Sequence, residues 1–318
     1  MEDKKRLIII DGNAIIHRAY HALPPLATKK GELVNAVYGF LSFFLKSMKE
    51  FKPDFIIAAF DFPAETFRHV KYKLYKANRP KAPDNLYEQI PKVKEILKEL
   101  NIQVFEQKGY EADDIIGTIS KKAPKKQIFP ELETIILTGD LDALQLVDRY
   151  TKVYVLKKGI NEAVLYDEKR VKERYNDLAP DKLVDFKALR GDPSDNIPGV
   201  YGIGEKTAIS LIKEFNSLDN LYKEIEENTE KSKTINASVR KKLIDYKDQA
   251  FVSKMLAEIR CDALVDFELE TFKFGDYSRD KIKEIFERFE FKSLINRLPE
   301  PEKENKTEEK NKNNLSLW

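Results

Sequence analysis

Four short apolar runs in the first half of the chain each lead to acidic residues at their carboxyl end. Leu7-Ile8-Ile9-Ile10 runs into Asp11, Phe55 to Phe60 runs into Asp61, and Thr134 to Gly139 runs into Asp140 and Asp142; Ile102 to Phe105 leads on to Glu111, Asp113 and Asp114. The runs are nearly continuous rather than alternating, the pattern of strands covered by helices on both faces. Helical patterns separate them, so a mainly parallel sheet flanked by helices is expected, with the carboxyl ends of its strands along one edge where ligands bind. Acids in the first turn of a helix also suit its positive dipole end, which by itself would account for Glu111, Asp113 and Asp114. Acids at the other strand ends change the reading, because seven carboxylates would then meet in one small volume. Like charges that close stay ionised only beside something positive. Oxygen donors without nearby His or Cys point to magnesium or manganese rather than zinc.

The 318 residues suffice for two modest domains. Net charge is only +2, so no global excess of cations announces a nucleic-acid partner. A single cysteine, Cys261, excludes an internal disulfide framework and fits a reducing interior. The longest apolar runs are strand-sized, so the expectation is a cytoplasmic protein that makes no use of a membrane. A 35% charged fraction with one Cys and three Met leans toward a heat-adapted source.

Along the chain, a helix is expected from about Glu32 to Glu50, with Val37, Leu41, Phe44 and Met48 on its buried face. Beyond Asp61, the residues Arg68, His69, Lys71, Lys73, Lys76, Arg79 and Lys81 crowd together with Phe67, Tyr72 and Tyr75 among them. Cations interleaved with aromatics beside an acidic cluster read as a surface for phosphates and bases. An amphipathic helix follows from about Asp84 to Leu100, and Val153 to Leu156 reads as an edge strand. Helices are expected at about Lys206 to Phe215, Ala237 to Ile259 and Ser278 to Arg297, with a mobile connection from Glu224 to Lys241.

A second dense motif runs from Gly191 to Thr207, Gly-Asp-Pro-Ser-Asp-Asn-Ile-Pro-Gly-Val-Tyr-Gly-Ile-Gly-Glu-Lys-Thr. Asp192 and Asp195 extend the acids to nine. Gly199, Gly202 and Gly204 allow a tight hairpin into a helix near Glu205 whose backbone N–H groups can meet a phosphate. It is not a nucleotide-binding loop, since Glu205 stands where the phosphate-binding Lys belongs and no strand precedes it.

Asp11, Asp61, Glu111-Ala112-Asp113-Asp114, Thr138-Gly139-Asp140-Leu141-Asp142 and Gly191 to Gly199, in this order, closely resemble the 5′ nuclease domain of bacterial DNA polymerase I, within the flap endonuclease superfamily. The likeness covers about residues 6 to 297. It implies an α/β fold, a mainly parallel PIN-like nuclease core with a helical C-terminal region that carries a helix-three-turn-helix DNA-binding motif. The implied division is residues 1–170 for the core, with a helical arch at about 64–84; residues 171–298 for the helical region, with the hairpin at about 188–215; and a disordered tail at 299–318. By the same resemblance Asp11, Asp61, Glu111, Asp113, Asp114, Asp140, Asp142, Asp192 and Asp195 hold two divalent metal ions. Lys76 and Arg79 address the scissile phosphate and Tyr75 stacks near it. Arg68, Lys71 and Lys73 in the arch, and Gly199, Gly202, Gly204, Lys206 and Thr207 in the hairpin, contact DNA. Backbone oxygens around Val200 and Ile203 bind a potassium ion.

The implied activity is structure-specific 5′-to-3′ exonuclease and flap endonuclease cleavage of DNA and RNA-primed DNA in replication and repair, beside a DNA polymerase and on the bacterial nucleoid. Its substrates are 5′ flaps, branched junctions and RNA–DNA primer junctions. Leu141 departs from the pattern, since polymerase-linked relatives usually have Lys between the two acids. The terminal Asn314-Leu315-Ser316-Leu317-Trp318 resembles clamp-binding peptides of the form Gln-Leu-Ser-Leu-Phe, so Leu315, Leu317 and Trp318 are candidates for docking on a sliding clamp; a chance apolar terminus is the equal alternative. The competing functions are a non-catalytic junction-binding protein, against which the full set of nine acids speaks, and a PIN-type ribonuclease, which would be shorter and lack the glycine hairpin.

Overall fold

Ile8 and Ile10 pack on one side of the strand Arg6–Asp11, Leu7 and Ile9 on the other, and all four are buried. This is why the run carries no polar alternation. The computed structural model describes residues 4–126, 131–157, 159–160 and 162–301. Leu315, Leu317 and Trp318 lie outside them. Among the described residues the strands are β1 (Arg6–Asp11), β2 (Phe55–Ala59), β3 (Gln103–Phe105), β4 (Glu133–Thr138), β5 (Thr151–Leu156) and β6 (Ala163–Tyr166), in the order β3-β2-β1-β4-β5-β6. β1 to β5 pair in parallel, with Ile9 level with Ile57 and Ile136, and β6 returns antiparallel on β5. The edge strand expected at Val153 is therefore interior, because the sequence reading did not find β6.

The connections are α1 (Gly12–Ala22), α2 (Asn35–Phe51), α3 (Phe67–Lys71), α4 (Asp84–Tyr87), α5 (Ile90–Glu99) and α6 (Ala112–Lys122). α2 presents Val37, Phe40, Leu41 and Phe44 to the Ile8 and Ile10 face, while α6 presents Ile115, Ile116 and Ile119 to the Leu7 and Ile9 face. Each such side chain contributes about 1.5–3 kcal/mol on full burial. The expected helix over 84–100 is broken in two. Gln89, at the break, is wholly buried and caps α2, its Oε1 accepting from the N–H of Ala36 at 2.8 Å and of Val37 at 3.3 Å. Val34, which precedes α2, offers no side-chain cap of its own.

Beyond the sheet come α7 (Glu168–Arg174), α8 (Leu183–Arg190), α9 (Glu205–Phe215), α10 (Leu218–Glu226), α11 (Glu230–Lys233), α12 (Ala237–Asp245), α13 (Lys247–Ala257), α14 (Arg279–Arg288) and α15 (Lys292–Ile295). Residues between Leu178 and Ala250 build their own core around Phe186, Ile212, Phe215 and Leu221. The stretch 224–241, expected as a mobile connection, is mostly helical, with Thr229 and Asn236 capping α11 and α12 through their side chains. The long helices expected at 237–259 and 278–297 are each interrupted, the second at Glu290, whose φ is +64°. The domain expected to run to 298 ends earlier as a packing unit. Ile259, Phe267 and Phe272 return to one face of the sheet, and Ile282, Phe286, Phe291 and Leu294 to the other.

Candidate active site

The strand ends bring the acids to one place. Asp11 closes β1 and caps α1, its Oδ1 accepting from the Ala14 N–H at 3.0 Å, while its Oδ2 accepts from the Thr138 hydroxyl at 2.6 Å. Asp61 lies two residues beyond β2 and accepts from the Ala112 N–H at 2.8 Å, so it meets the start of α6. Glu111 precedes α6 and Asp113 stands in its first turn. Asp140 follows β4 and accepts from the N–H of Asp142 at 2.9 Å. Asp11, Asp61, Glu111, Asp113, Asp140, Asp142 and Asp195 all line a single cavity of about 360 Å³. Asp192 stands behind it, joined to Asp142 through Lys187.

Cations line the same cavity. Lys76 pairs with Glu111 at 2.9 Å, and Arg79 pairs with Asp195. Both come from a segment that touches the 192–197 turn at several points: the Lys76 N–H donates to the Asp195 carbonyl at 2.9 Å, Asn78 to that of Pro193 at 2.7 Å, and Asn196 to that of Leu74 at 2.6 Å. Lys76 sits at φ +55°, a conformation that non-glycine residues adopt only where their surroundings impose it.

Burial and mutual repulsion set the protonation of the acids. Burial pushes the Asp11 carboxyl up to about 7, with Asp61 and Asp140 adding to the effect against hydrogen bonds from Thr138 and Ala14. Asp142 is pushed up to about 7 by burial and by Asp140. Asp113 is raised well above the usual carboxylate range by burial and by Asp11 and Asp140. Burial acts the same way on Glu111 and Asp192, but Lys76 with Arg68, and Lys187, more than offset it and hold these two below the usual range. Among the described residues no three His, Cys, Asp or Glu side chains are arranged to hold a metal ion as they stand. Lys76, Lys187, Arg79, Thr138 and the Ala112 N–H occupy oxygens that a metal would use. The donor set still suits a hard divalent cation, being carboxylate oxygens that repel one another in a partly dry cavity.

Four sequence expectations change in the structure. Asp114 lies away from the cavity, wholly buried, and both its oxygens pair with Arg68 at 2.8 Å. Arg68, expected on the DNA face, is itself 2% exposed. Tyr75 is 4% exposed, its hydroxyl donating to Glu111 at 3.1 Å and its ring edge-on to His69, so it offers no open face for stacking. The arch is helical only over α3; turns carry it onward to Pro80. Lys71 and Lys73 are exposed.

In the hairpin, Gly199 has φ +64°, and its peptide is engaged internally, N–H to Ser253 and C=O to Gln249. The carbonyl of Val200 accepts from the Ile203 N–H at 3.0 Å. Gly204 precedes α9, where Lys206 and Glu205 are exposed and Thr207 is half-buried. Sequence reasoning missed α1, which lines the cavity with His17, Arg18 and His21, and it missed Lys187. For Lys187 the one available signal was its position five residues before Asp192.

A family profile described as "5′-3′ exonuclease, N-terminal resolvase-like domain" matches residues 6–176, and one described as "5′-3′ exonuclease, C-terminal SAM fold" matches residues 178–280. DNA polymerase I of Bacillus subtilis is 41% identical over 300 residues, covering 94% of this chain and 33% of that protein. DNA polymerase I of Caldicellulosiruptor bescii is 42% identical over 295 residues, 92% of this chain and 33% of that protein. The chain thus spans about a third of the length of the curated relatives it matches. Among solved structures, the T5 D15 protein co-crystallised with metal ions superposes with a TM-score of 0.66 at 20% identity, covering 89% of this chain and 99% of that one. The catalytic core of Rad2 in complex with DNA substrate superposes with a TM-score of 0.58 at 20% identity, covering 93% of each chain.

Proposed function

Because this chain belongs to the 5′-3′ exonuclease family, we propose that it is a structure-specific 5′ nuclease that hydrolyses phosphodiesters of DNA and RNA-primed DNA at 5′ flaps and branched junctions. The observation that carries the reading is the convergence of seven carboxylates on one cavity under a segment that brings in Lys76 and Arg79. Asp11, Asp61, Glu111, Asp113, Asp140, Asp142, Asp192 and Asp195 would hold two divalent ions, magnesium or manganese. When bound, these ions supply the activation of water and the positive charge at the leaving oxygen that phosphodiester hydrolysis needs.

The chain's own residues prepare the rest. Lys76 and Arg79 exchange Glu111 and Asp195 for the scissile phosphate and neutralise charge that grows on it in the transition state. Tyr75 holds Glu111 in place through its hydroxyl rather than stacking on a base. Arg18, which reaches the Gly139 carbonyl at 2.9 Å from α1, stands at the cavity wall to meet a neighbouring phosphate.

Away from the cavity, Lys71 and Lys73 steer the single strand, and the start of α9, with Gly202, Gly204, Lys206 and Thr207, takes a phosphate of the duplex. A potassium ion would use backbone oxygens near Val200 and Ile203. Leu315, Leu317 and Trp318 would dock on a sliding clamp, in work shared with a DNA polymerase at the bacterial nucleoid during primer removal and repair.

The test is cleavage of an end-labelled duplex with a 5′ flap in magnesium, in manganese and in chelator. Metal-dependent cutting near the junction is expected. Tight binding without cutting in any metal would move the chain to a junction-binding role.

A further inference from the structure

Arg68 is buried beside the cavity, and every one of its five N–H donors has an acceptor. Nη1 and Nη2 reach the two oxygens of Asp114 at 2.8 Å, and Nη1 also approaches Glu111 Oε2 at 3.4 Å. Nε donates to the Leu256 carbonyl at 3.1 Å and Nη2 to that of Glu258 at 2.6 Å. Asp114 is as fully engaged. Besides Arg68 it accepts the Glu111 N–H at 3.0 Å on one oxygen and the Arg260 N–H at 2.8 Å on the other.

Three distant segments therefore meet on one ion pair: α3 at the foot of the arch, the start of α6, and residues 256–260 leading out of α13. Gln145, three residues past Asp142, holds the same outgoing segment as well. It donates to the Ala257 carbonyl at 3.0 Å and accepts the Ile259 N–H at 2.9 Å. Farther back on α13, Gln249 and Ser253 grip the Gly199 peptide at 2.6 and 3.0 Å. A hydrogen-bonded path thus runs from the glycine hairpin along α13 to the backbone of Glu111.

We propose that Arg68 is a positioning residue for cleavage: through Asp114 it fixes the Glu111 backbone to the segment leaving the hairpin-bearing helices, so Glu111 is aimed into the cavity when the foot of the arch and those helices are docked together. The inference rests on the nuclease reading. Asp114, on this account, is an anchor and not a metal ligand. Lysine cannot take the place of Arg68, because a point charge with three donors cannot span both oxygens of Asp114 and also reach Leu256 and Glu258.

The experiment is steady-state cleavage of a 5′-flap duplex in magnesium by the full chain and by Arg68→Lys, with amide hydrogen exchange on both. Arg68→Lys should lower kcat on the order of 10²-fold, since misplacing a catalytic group by about 1 Å costs that much. KM for the duplex should hold, because the hairpin contacts are remote. The Glu111 and Arg260 amides should exchange slowly in the parent chain and speed up together in the variant. Should Arg68→Lys fail to fold, the double variant Arg68→Met with Asp114→Leu gives the same comparison, because removing both charges together leaves neither one buried and unpaired. A parental kcat, a loss carried entirely by KM, or unchanged exchange at Glu111 and Arg260 overturns the inference while the parent chain still cuts. A parent chain that cuts no flapped duplex overturns the nuclease reading itself and takes the role of Arg68 in cleavage with it.

Discussion

Lys187, on α8, forms an ion pair with Asp142, which lies 45 residues earlier beyond the end of β4. The same ammonium donates to Asp192 at 2.8 Å, so one cation joins the helical unit to the strand-end acids. Its own pKa is raised, because the two carboxylates outweigh the cost of its burial. Replacing it by methionine leaves both acids uncompensated. Removing one partner of a buried pair costs about 3 kcal/mol, at the low end here because the three groups are partly open to water. Lys187→Met should melt well below the parent chain in chelator, and magnesium should narrow the gap by taking over the compensation. A gap that magnesium leaves unchanged would mean that Lys187 and the metal do not serve the same acids.

Tyr75 separates the sequence reading from the structural one. If it stacks on a base, Tyr75→Phe keeps the ring and keeps the rate. If it holds Glu111 by its hydroxyl, the loss of a hydrogen bond to a charged group, about 1.5–3 kcal/mol, lowers the cleavage rate roughly 10-fold or more. The second outcome is expected, with DNA affinity unchanged in a binding assay run in chelator. The hydroxyl's second acceptor, Asp195 at 3.5 Å, is too distant to carry the effect alone.

The contrast between Tyr75 and the strand-end acids shows what the sequence makes legible. β1, β2 and β4 were readable because both faces are buried, so no charged residue interrupts Leu7 to Ile10, Phe55 to Phe60 or Thr134 to Gly139 before Asp11, Asp61 or Asp140. α1 was not, because Asn13, His17, Arg18 and His21 line the cavity and spoil the apolar stripe by which a surface helix is recognised. Arg68 read as one more cation in a basic stretch. Only the fold brings it to Asp114, 46 residues away, and turns an apparent DNA contact into a buried anchor. Gln89 was unreadable for the same reason: it lies inside the one helix expected over 84–100, and only the fold brings its side chain to cap α2.

Gly199 and Gly204 share a motif but not a constraint. A Cβ at Gly199 would stand 2.3 Å from the Gly191 nitrogen, on a backbone with φ +64°. At Gly204 it would meet nothing within 4 Å, on an extended backbone. Gly199→Ala should therefore cost on the order of 2 kcal/mol or more of stability, and Gly204→Ala less than about 0.5 kcal/mol. Thermal melts of the two variants decide it. Equal melting temperatures would mean that the hairpin adjusts more freely than its internal hydrogen bonds allow.

Asp113 and Asp114 are neighbours with opposite duties, and a paired substitution exposes this. Asp113 faces the cavity, raised well above the usual carboxylate range by burial and by Asp11 and Asp140. A carboxyl raised on folding costs stability above its unfolded pKa, because the folded chain must either hold the proton or bear the charge unpaired. Asp113→Asn removes that cost, so in chelator at neutral pH it should melt at or above the parent temperature. The same change withdraws a proposed metal ligand, and cleavage in magnesium should fall about 10²-fold or more, in line with losses of groups that stabilise transition-state charge. Asp114→Asn should do the reverse in the first assay. It leaves Arg68 buried without its counter-charge, a loss of about 3–5 kcal/mol. Melting in chelator and cutting in magnesium, measured on both variants, sort the two roles. If Asp113→Asn destabilised the chain as much as Asp114→Asn, Asp113 would be part of the scaffold rather than a strained acid waiting for a cation.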